Sequence, residues 1–226
     1  MTEKYEITPI AHIESDFDTK FGIPRQSGLV AELTAKIVFE EGFRNDDALR
    51  RIEEYSHLWL IWQFSENRRD EWSPTVRPPR FGGNVRVGVF ATRSPFRPNN
   101  LGLSCVRLVE KRKTMDQGTV LIVSGADLMN GTPIFDIKPY VPYSDRIPEA
   151  SEGFASRPEA KLQVEYEESV LSLIPEDRRT ALIEVLSYDP RPRYQENPER
   201  IYGMKFSGYD VRFRVSDEIL TIVEVL

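Results

Sequence analysis

"LGLSCVRLVEKRKTMDQGTVLIVSGADL", Leu101 to Leu128, is the stretch whose reading decides the fold. Its two halves, 101–112 and 118–128, are rich in Leu, Val and Ile and read as strands. A turn near Met115 to Gly118 separates them. Working outward, the same texture recurs. Upstream, "VRVGVFA" (85–91) alternates at Val85, Val87 and Val89, and "HLWLIWQFS" (57–65) is apolar on both sides, as a central strand is. "LTAKIVFE" (33–40) sets Leu33, Ala35, Ile37 and Phe39 against polar neighbours, and "YEITPIAHIES" (5–15) supplies a first strand. Downstream, Asn130-Gly131 signals a tight turn before "IFDIKPY" (134–140). There Asp136 and Lys138 fall on one face, Phe135 and Ile137 on the other. Only "NDDALRRIEEY" (45–55), with capping side chains and Leu49, Ile52 and Tyr55 at helical spacing, reads as a helix in this half. Many strands with few helices predict a mainly β fold, barrel or sandwich, rather than a doubly wound parallel sheet.

Near residue 152 the texture changes. A polar linker (148–161) is followed by "PEDRRTALIEVL" (175–186), a helix with Pro175 and Glu176 at its start and a Leu182, Ile183, Leu186 stripe. "YGMKFSGYDVRFRVSDEILTIVEVL" (202–226) closes the chain with two or three strands. The expected division is a barrel domain over 1–152 and a small α+β domain over 153–226.

Composition narrows the function. The 226 residues are 40% hydrophobic and 29% charged, ordinary for a soluble globular protein. No apolar run approaches the ~20 residues that span a bilayer, and the first ten residues lack the plan of a secretory signal. A single cysteine, Cys105, excludes an internal disulfide and a cysteine-rich zinc site, which points to a reducing, cytoplasmic setting. His12 and His57 lack acidic companions at metal-ligand spacing, so no metal is expected. Nucleotide-binding glycine motifs and the G-x-S-x-G elbow are absent.

Against a net charge of -6, residues 66–98 hold Arg68, Arg69, Arg77, Arg80, Arg86, Arg93 and Arg97 but only Glu66, Asp70 and Glu71 as acids. A local basic patch with Trp72, Phe81 and Phe96 beside it suits phosphate contacts and base stacking. Charge alone leaves open that these arginines pair with surface carboxylates.

Four segments concentrate glycine, proline and polar side chains: 24–29, 75–84, 90–104 and 124–143. With "PRQSGLV" (24–30), "SHLW" (56–59), "PTVRPPRFGGN" (74–84), "VGVFATRSPFRPN" (87–99), "DIKPYVPY" (136–143) and "DPRPRY" (189–194), the chain closely resembles the TsaA-like, or TrmO, family of S-adenosylmethionine-dependent tRNA methyltransferases. The resemblance implies a single-sheeted antiparallel β-barrel acting as a homodimer. It implies N6-methylation of an adenosine just 3′ of the tRNA anticodon that already bears N6-threonylcarbamoyl. By matching motif, the cofactor contacts would be Pro24, Arg25, Gln26, Ser65, Glu66, Arg93, Leu103, Ser124, Gly125, Ala126 and Asp127. The chain departs from the family at Asn100, where proline is usual and whose loss would loosen the loop, and at Asn130, where an acid is usual.

The acceptor nitrogen is a weak nucleophile while it keeps its proton, because its lone pair is shared with the purine ring and the urea carbonyl. A base, or a group stabilising the deprotonated urea, lowers the barrier. Asp136, Lys138 and Tyr140 share a face and are the catalytic candidates; the competing reading makes Asp136 and Lys138 a buried structural ion pair. Arg77, Arg80, Arg97, Arg191 and Arg193 are the candidates for tRNA phosphates, with Arg93 at the cofactor and Arg97 further out. Two alternatives stand beside this reading: a noncatalytic RNA- or ligand-binding barrel, and a methyltransferase with a different small acceptor.

Overall fold

A computed structural model describes residues 3–66, 72–78, 85–154, 161–191 and 197–226. The strands of the first half are β1 (Ala11–Glu14), β2 (Thr34–Phe39), β3 (His57–Gln63), β4 (Thr75–Val76), β5 (Val87–Gly88), β6 (Leu101–Lys113), β7 (Thr119–Ser124) and β8 (Pro133–Pro139). Six of them close into one barrel in the order β1-β2-β7-β6-β3-β8, with β8 returning to β1, and every pairing is antiparallel. The mainly β, single-sheeted barrel is therefore what the structure shows. Its core takes one face of each strand: Ala11 and Ile13, Ala35 and Ile37, Leu58 and Leu60, Val106, Leu121 and Val123, and Ile134 are all nearly solvent-free.

Three local expectations change. Residues 45–55 form two 3-10 turns, Asp46–Leu49 and Ile52–Glu54, not one helix. Asn45 does cap the first, accepting from the Asp47 N–H, but Arg51 at φ 71 breaks the run. In "VRVGVFA" only Val87–Gly88 is strand, and Val89–Ala91 turns away. In β8 the register slips opposite Ile61/Trp62, so that Ile134, not Phe135, is buried; Asp136 and Lys138 still alternate against Ile137.

The second half begins after α1 (Pro142–Asp145) and holds β9 (Gln163–Glu165), α2 (Glu176–Ser187), β10 (Tyr202–Phe206), β11 (Tyr209–Ser216) and β12 (Ile219–Val225). The sheet runs β10-β11-β12-β9, with β9 parallel to β12. Helix α2 buries Ala181, Leu182, Val185 and Leu186.

That second core is not closed by its own residues. Phe17, Val30 and Leu33, from the 17–33 segment between β1 and β2, are buried within it, and Phe21, Ile23 and Leu29 pack against it. Phe17 meets Phe206 edge-on at 5.7 Å between ring centres. Beside them the buried Asp16 accepts from Arg178 at 3.1 Å, and Arg178 also donates to the Thr34 hydroxyl at 2.7 Å. Burial raises the Asp16 carboxyl above its usual value, and the Arg178 charge pulls the other way. The 24–29 loop is thus held at both ends by the C-terminal half.

Candidate active site

Strand β6 has β3 beside it from Leu101 to Arg107, but β7 joins it only from Arg107 onward. Over Leu101–Val106 the barrel is therefore parted on the β7 side. The 24–29 loop enters this gap: the Cys105 N–H donates to Ser27 Oγ at 3.1 Å, and the Gly28 N–H donates to the Gly125 carbonyl at 2.8 Å. Backbone direction alternates along a strand. Since the Cys105 N–H points away from β3, the N–H and C=O of Leu103 point the same way, an open strand edge facing a cavity.

The cavity has a volume of about 600 Å³, the size of a small-molecule site. Pro24, Arg25 and Gln26 form one wall, Ser65 and Glu66 follow β3 into another, and Arg93, Leu103 and Asp127 complete the set expected from sequence. Ser124, Gly125 and Ala126 do not line it. They lie buried behind it, and Gly125 is there for its backbone: at φ 77, a Cβ would sit 3.0 Å from the Gly28 Cα.

The floor is a relay that sequence reasoning misses. The Trp62 indole N–H donates to Ser104 Oγ at 2.9 Å, and Ser104 Oγ donates to Asp127 Oδ1 at 2.5 Å. Trp62 lies flat over Gly102, its partner across β3 and β6, where a Cβ would stand 2.3 Å from the ring. The register that brings Trp62, Gly102 and Ser104 together is a property of the folded sheet, and no local motif announces it. On the rim, Arg93 donates to Gln26 Oε1, tying two cofactor candidates from distant segments.

Burial raises the Asp127 carboxyl above the usual aspartate value; the Ser104 hydrogen bond and the Arg93 charge act against this. A raised folded value gives stability at low pH that is lost as the pH rises through it, so ionised Asp127 costs the ligand-free fold stability near neutrality. Asp127→Asn keeps the oxygen that Ser104 needs and removes the charge. It is expected to melt about 2–4 °C higher at pH 7, if ~1 kcal/mol is relieved, and to lose that advantage below pH 4. Melting curves of the ligand-free variant at both pH values check this, and an unchanged or lower melting temperature at pH 7 overturns it.

The catalytic candidates do not enter the cavity. On the outer face of the barrel Asp136 lies opposite Ile61, and Ile61 opposite Leu103; Lys138 lies opposite Trp59. Asp136 Oδ2 is 2.9 Å from Lys138 Nζ, and Oδ1 accepts from the Ile137 N–H at 2.9 Å. The pair forms, but with side chains 44% and 62% exposed it is not buried. Tyr140 packs beside Trp59 and His57, at 5.8 and 6.2 Å between ring centres. Two strand spacings separate Asp136 from Leu103, about 10 Å, so the trio flanks the side of the cavity where Leu103 is exposed.

The arginines sort differently from expectation. Arg97 lines the same cavity as Arg93 and donates to the Thr92 carbonyl at 3.0 Å, so it does not stand further out. Arg77 is exposed beyond β4. Arg191 is half-buried and grips Asp189 through two bonds of 2.8 and 2.9 Å, which commits its guanidinium within the C-terminal half. Arg80 and Arg193, with Phe81, lie outside the described residues. Trp72 stacks on Phe90.

Asn100 does not loosen its loop. Its Oδ1 accepts from Gln63 Nε2 at 2.7 Å, its Nδ2 donates to the Phe64 carbonyl at 3.0 Å, and its own carbonyl accepts from the Phe64 N–H. Asn130 supplies an acceptor where a carboxylate would, taking the Ser15 N–H at 3.2 Å, and its amide donates to Asp18. The Asn130-Gly131 turn is closed by the Thr132 N–H on the Met129 carbonyl.

A closed antiparallel barrel, parted along one strand around a cavity of mixed polar and apolar lining, defines a barrel-based small-molecule site rather than a doubly wound nucleotide fold. The models of the two TrmO domains account for nearly the whole chain: tRNA-methyltransferase O N-terminal domain over residues 12–146, and TrmO C-terminal domain over 159–226. The chain belongs to the TrmO family. It is 40% identical over 222 residues, covering 94% of both chains, to tRNA (adenine(37)-N6)-methyltransferase of Escherichia coli. It is 40% identical over 217 residues, 92% of both, to RcsF of Pseudomonas aeruginosa, whose name includes the words S-adenosylmethionine-dependent methyltransferase. A crystal structure of TrmO from P. aeruginosa superposes with a TM-score of 0.82 at 32% identity, covering 100% of this chain and 99% of that one. Among the described residues no helix is long and apolar enough to cross a membrane.

Proposed function

We propose that the protein methylates N6 of the adenosine just 3′ of the tRNA anticodon, in its threonylcarbamoyl form, using S-adenosylmethionine. The observation that carries the reading is the cavity at the parted strands, walled by the segments that match the family, with Asp136 and Lys138 flanking its Leu103 side. The name of the E. coli relative supports adenine 37 of tRNA as the target, and that of RcsF supports the cofactor.

The cavity's donor set suits this cofactor. Asp127 and Glu66 match its cationic sulfonium and ammonium groups, Arg25, Arg93 and Arg97 match its carboxylate, and the open edge at Leu103 offers a backbone donor and acceptor to its adenine. When bound, the cofactor supplies a methyl group on a positively charged sulfur. The chain must hold the acceptor nitrogen in line at about 3–3.5 Å and manage its proton. In this reading Asp136 Oδ2 accepts or orients the N6 proton, and Lys138 leaves the carboxylate to stabilise charge on the urea or the threonyl carboxylate. Tyr140 positions the base, and a nucleotide seated over Leu103 and Ile61 spans the distance between cavity and pair.

The same proposal includes a homodimer in the cytoplasm, and two domains divided near residue 152 that share the 17–33 segment. Incubation with methyl-labelled S-adenosylmethionine and tRNA from cells with or without threonylcarbamoylation tests it. Label only in the modified tRNA is expected. Label in both sets the acceptor back to plain adenosine, and label in neither favours a binding module. Affinity for tRNA is expected to fall by about 40–500-fold between 50 and 200 mM salt for three to five phosphate contacts; a flat response removes Arg77 from the interface.

A further inference from the structure

Outside the cavity, the β4–β5 ribbon carries an exposed aromatic pair that the chemistry above does not use. The Val89 N–H donates to the Pro74 carbonyl at 3.0 Å, so the pairing of Thr75 with Gly88 continues toward Trp72 and Phe90. Their rings stack at 6.0 Å between centres and 27° between planes. Phe90 is nevertheless 71% exposed and Trp72 49%, whereas the neighbouring Val89 is 1% exposed. A large apolar ring left in water beside a buried valine costs hydrophobic stabilisation, and a pair so placed offers a flat π face.

The other end of the ribbon is basic. One residue beyond the Val76–Val87 pair on each strand stand Arg77 and Arg86, both exposed. Like charges facing each other across strands destabilise a ribbon unless an anion lies between them. Arg86 donates to the Thr75 hydroxyl at 3.2 Å, which turns it along the ribbon. Phe90 is three residues from Arg93 of the cavity, a reach of at most about 11 Å. The aromatic end is therefore tied by a short piece of chain to the cavity wall.

We infer that this ribbon is a single-stranded RNA subsite, in which the Trp72–Phe90 pair stacks one anticodon-loop base other than the methylated one and Arg77 and Arg86 hold backbone phosphate. The inference rests on the tRNA reading above and deepens it. An unpaired base has a π face and a charged backbone on the same strand, the combination that the ribbon presents. Stacking is indifferent to base identity, so the subsite sets the depth to which the loop enters.

The test uses the full-length protein and an anticodon stem-loop carrying 2-aminopurine at one loop position at a time. One position is expected to lose fluorescence on binding. Phe90→Leu and Trp72→Leu should restore that fluorescence and weaken stem-loop binding by about 5–150-fold, the range for one lost base stack. Phe90→Tyr should behave as wild type, and S-adenosylmethionine affinity by calorimetry should be unchanged in all three. Arg77→Gln with Arg86→Gln should lower the salt slope by about two. Wild-type binding with no quenched position, or leucine variants that bind as tightly as wild type, overturns the subsite alone. A wild-type protein that does not bind the stem-loop overturns the tRNA reading itself.

Discussion

Replacing Asp136 with Asn, or Lys138 with Ala, is expected to lower methyl transfer by about 10²–10⁴-fold while melting temperature and cofactor affinity stay at wild-type values. The structure is what makes the two halves of this expectation compatible. A buried ion pair broken on one side costs about 3–5 kcal/mol, which in a chain of this size lowers the melting temperature by roughly 6–20 °C. The Asp136–Lys138 pair lies on the outer face of the barrel, largely open to water, where such pairs contribute about 0–1 kcal/mol. Neither side chain lines the cavity, so cofactor binding has no reason to change. Single-turnover methylation, calorimetry with S-adenosylmethionine and thermal melting on the same preparations separate the roles. A large fall in melting temperature returns the pair to the structural reading, and undiminished methyl transfer removes it from the reaction.

Ending the chain at residue 154 is expected to abolish cofactor binding although every cavity residue named above is retained. Phe17, Val30 and Leu33 are buried among side chains of the C-terminal half. At roughly 1.5–3 kcal/mol for each large apolar side chain, exposing the three costs on the order of 5–9 kcal/mol, comparable with the whole stability of an ordinary domain. The 24–29 loop, which walls the cavity and bridges β6 to Gly125, lies between these anchors. Calorimetry and near-ultraviolet circular dichroism on the 1–154 fragment check the prediction. A folded fragment that binds S-adenosylmethionine as the full chain does would show that the loop is set by the barrel alone.

Some barrel strands were legible from apolar residues at every second position, as Ala35 and Ile37 reach the core, and others from their Leu, Val and Ile content alone. Residues 45–55 had helical spacing too, but a left-handed Arg51 is a backbone event that spacing does not report. The bulge in β8 is likewise a matter of strand register that spacing does not report, and it makes Ile134 rather than Phe135 the inward residue. For the site, motif resemblance pointed to segments that meet at one cavity, but not to which of their side chains line it. It marked 124–127 as one block, whereas only Asp127 faces the cavity and the other three carry the turn behind it. The Trp62–Ser104–Asp127 relay stayed hidden because its members come from three separate strands or strand ends. Segment 24–29 stood out for its glycine, proline and polar side chains, and Phe21, Ile23 and Leu29 in and beside it gave no hint of the core that receives them.

The shared core also bears on how the protein is made. Phe17, Val30 and Leu33 leave the ribosome well before their partners, which run from Leu171 to Val225. At ~5–20 residues per second, the interval between Leu33 and Val225 is roughly 10–40 s. During that time the 24–29 loop waits with its apolar anchors uncovered. The cavity wall is therefore expected to be set only once Val225 has been made, and a chain terminated before that point is expected to keep the barrel sequence without a fixed 24–29 loop.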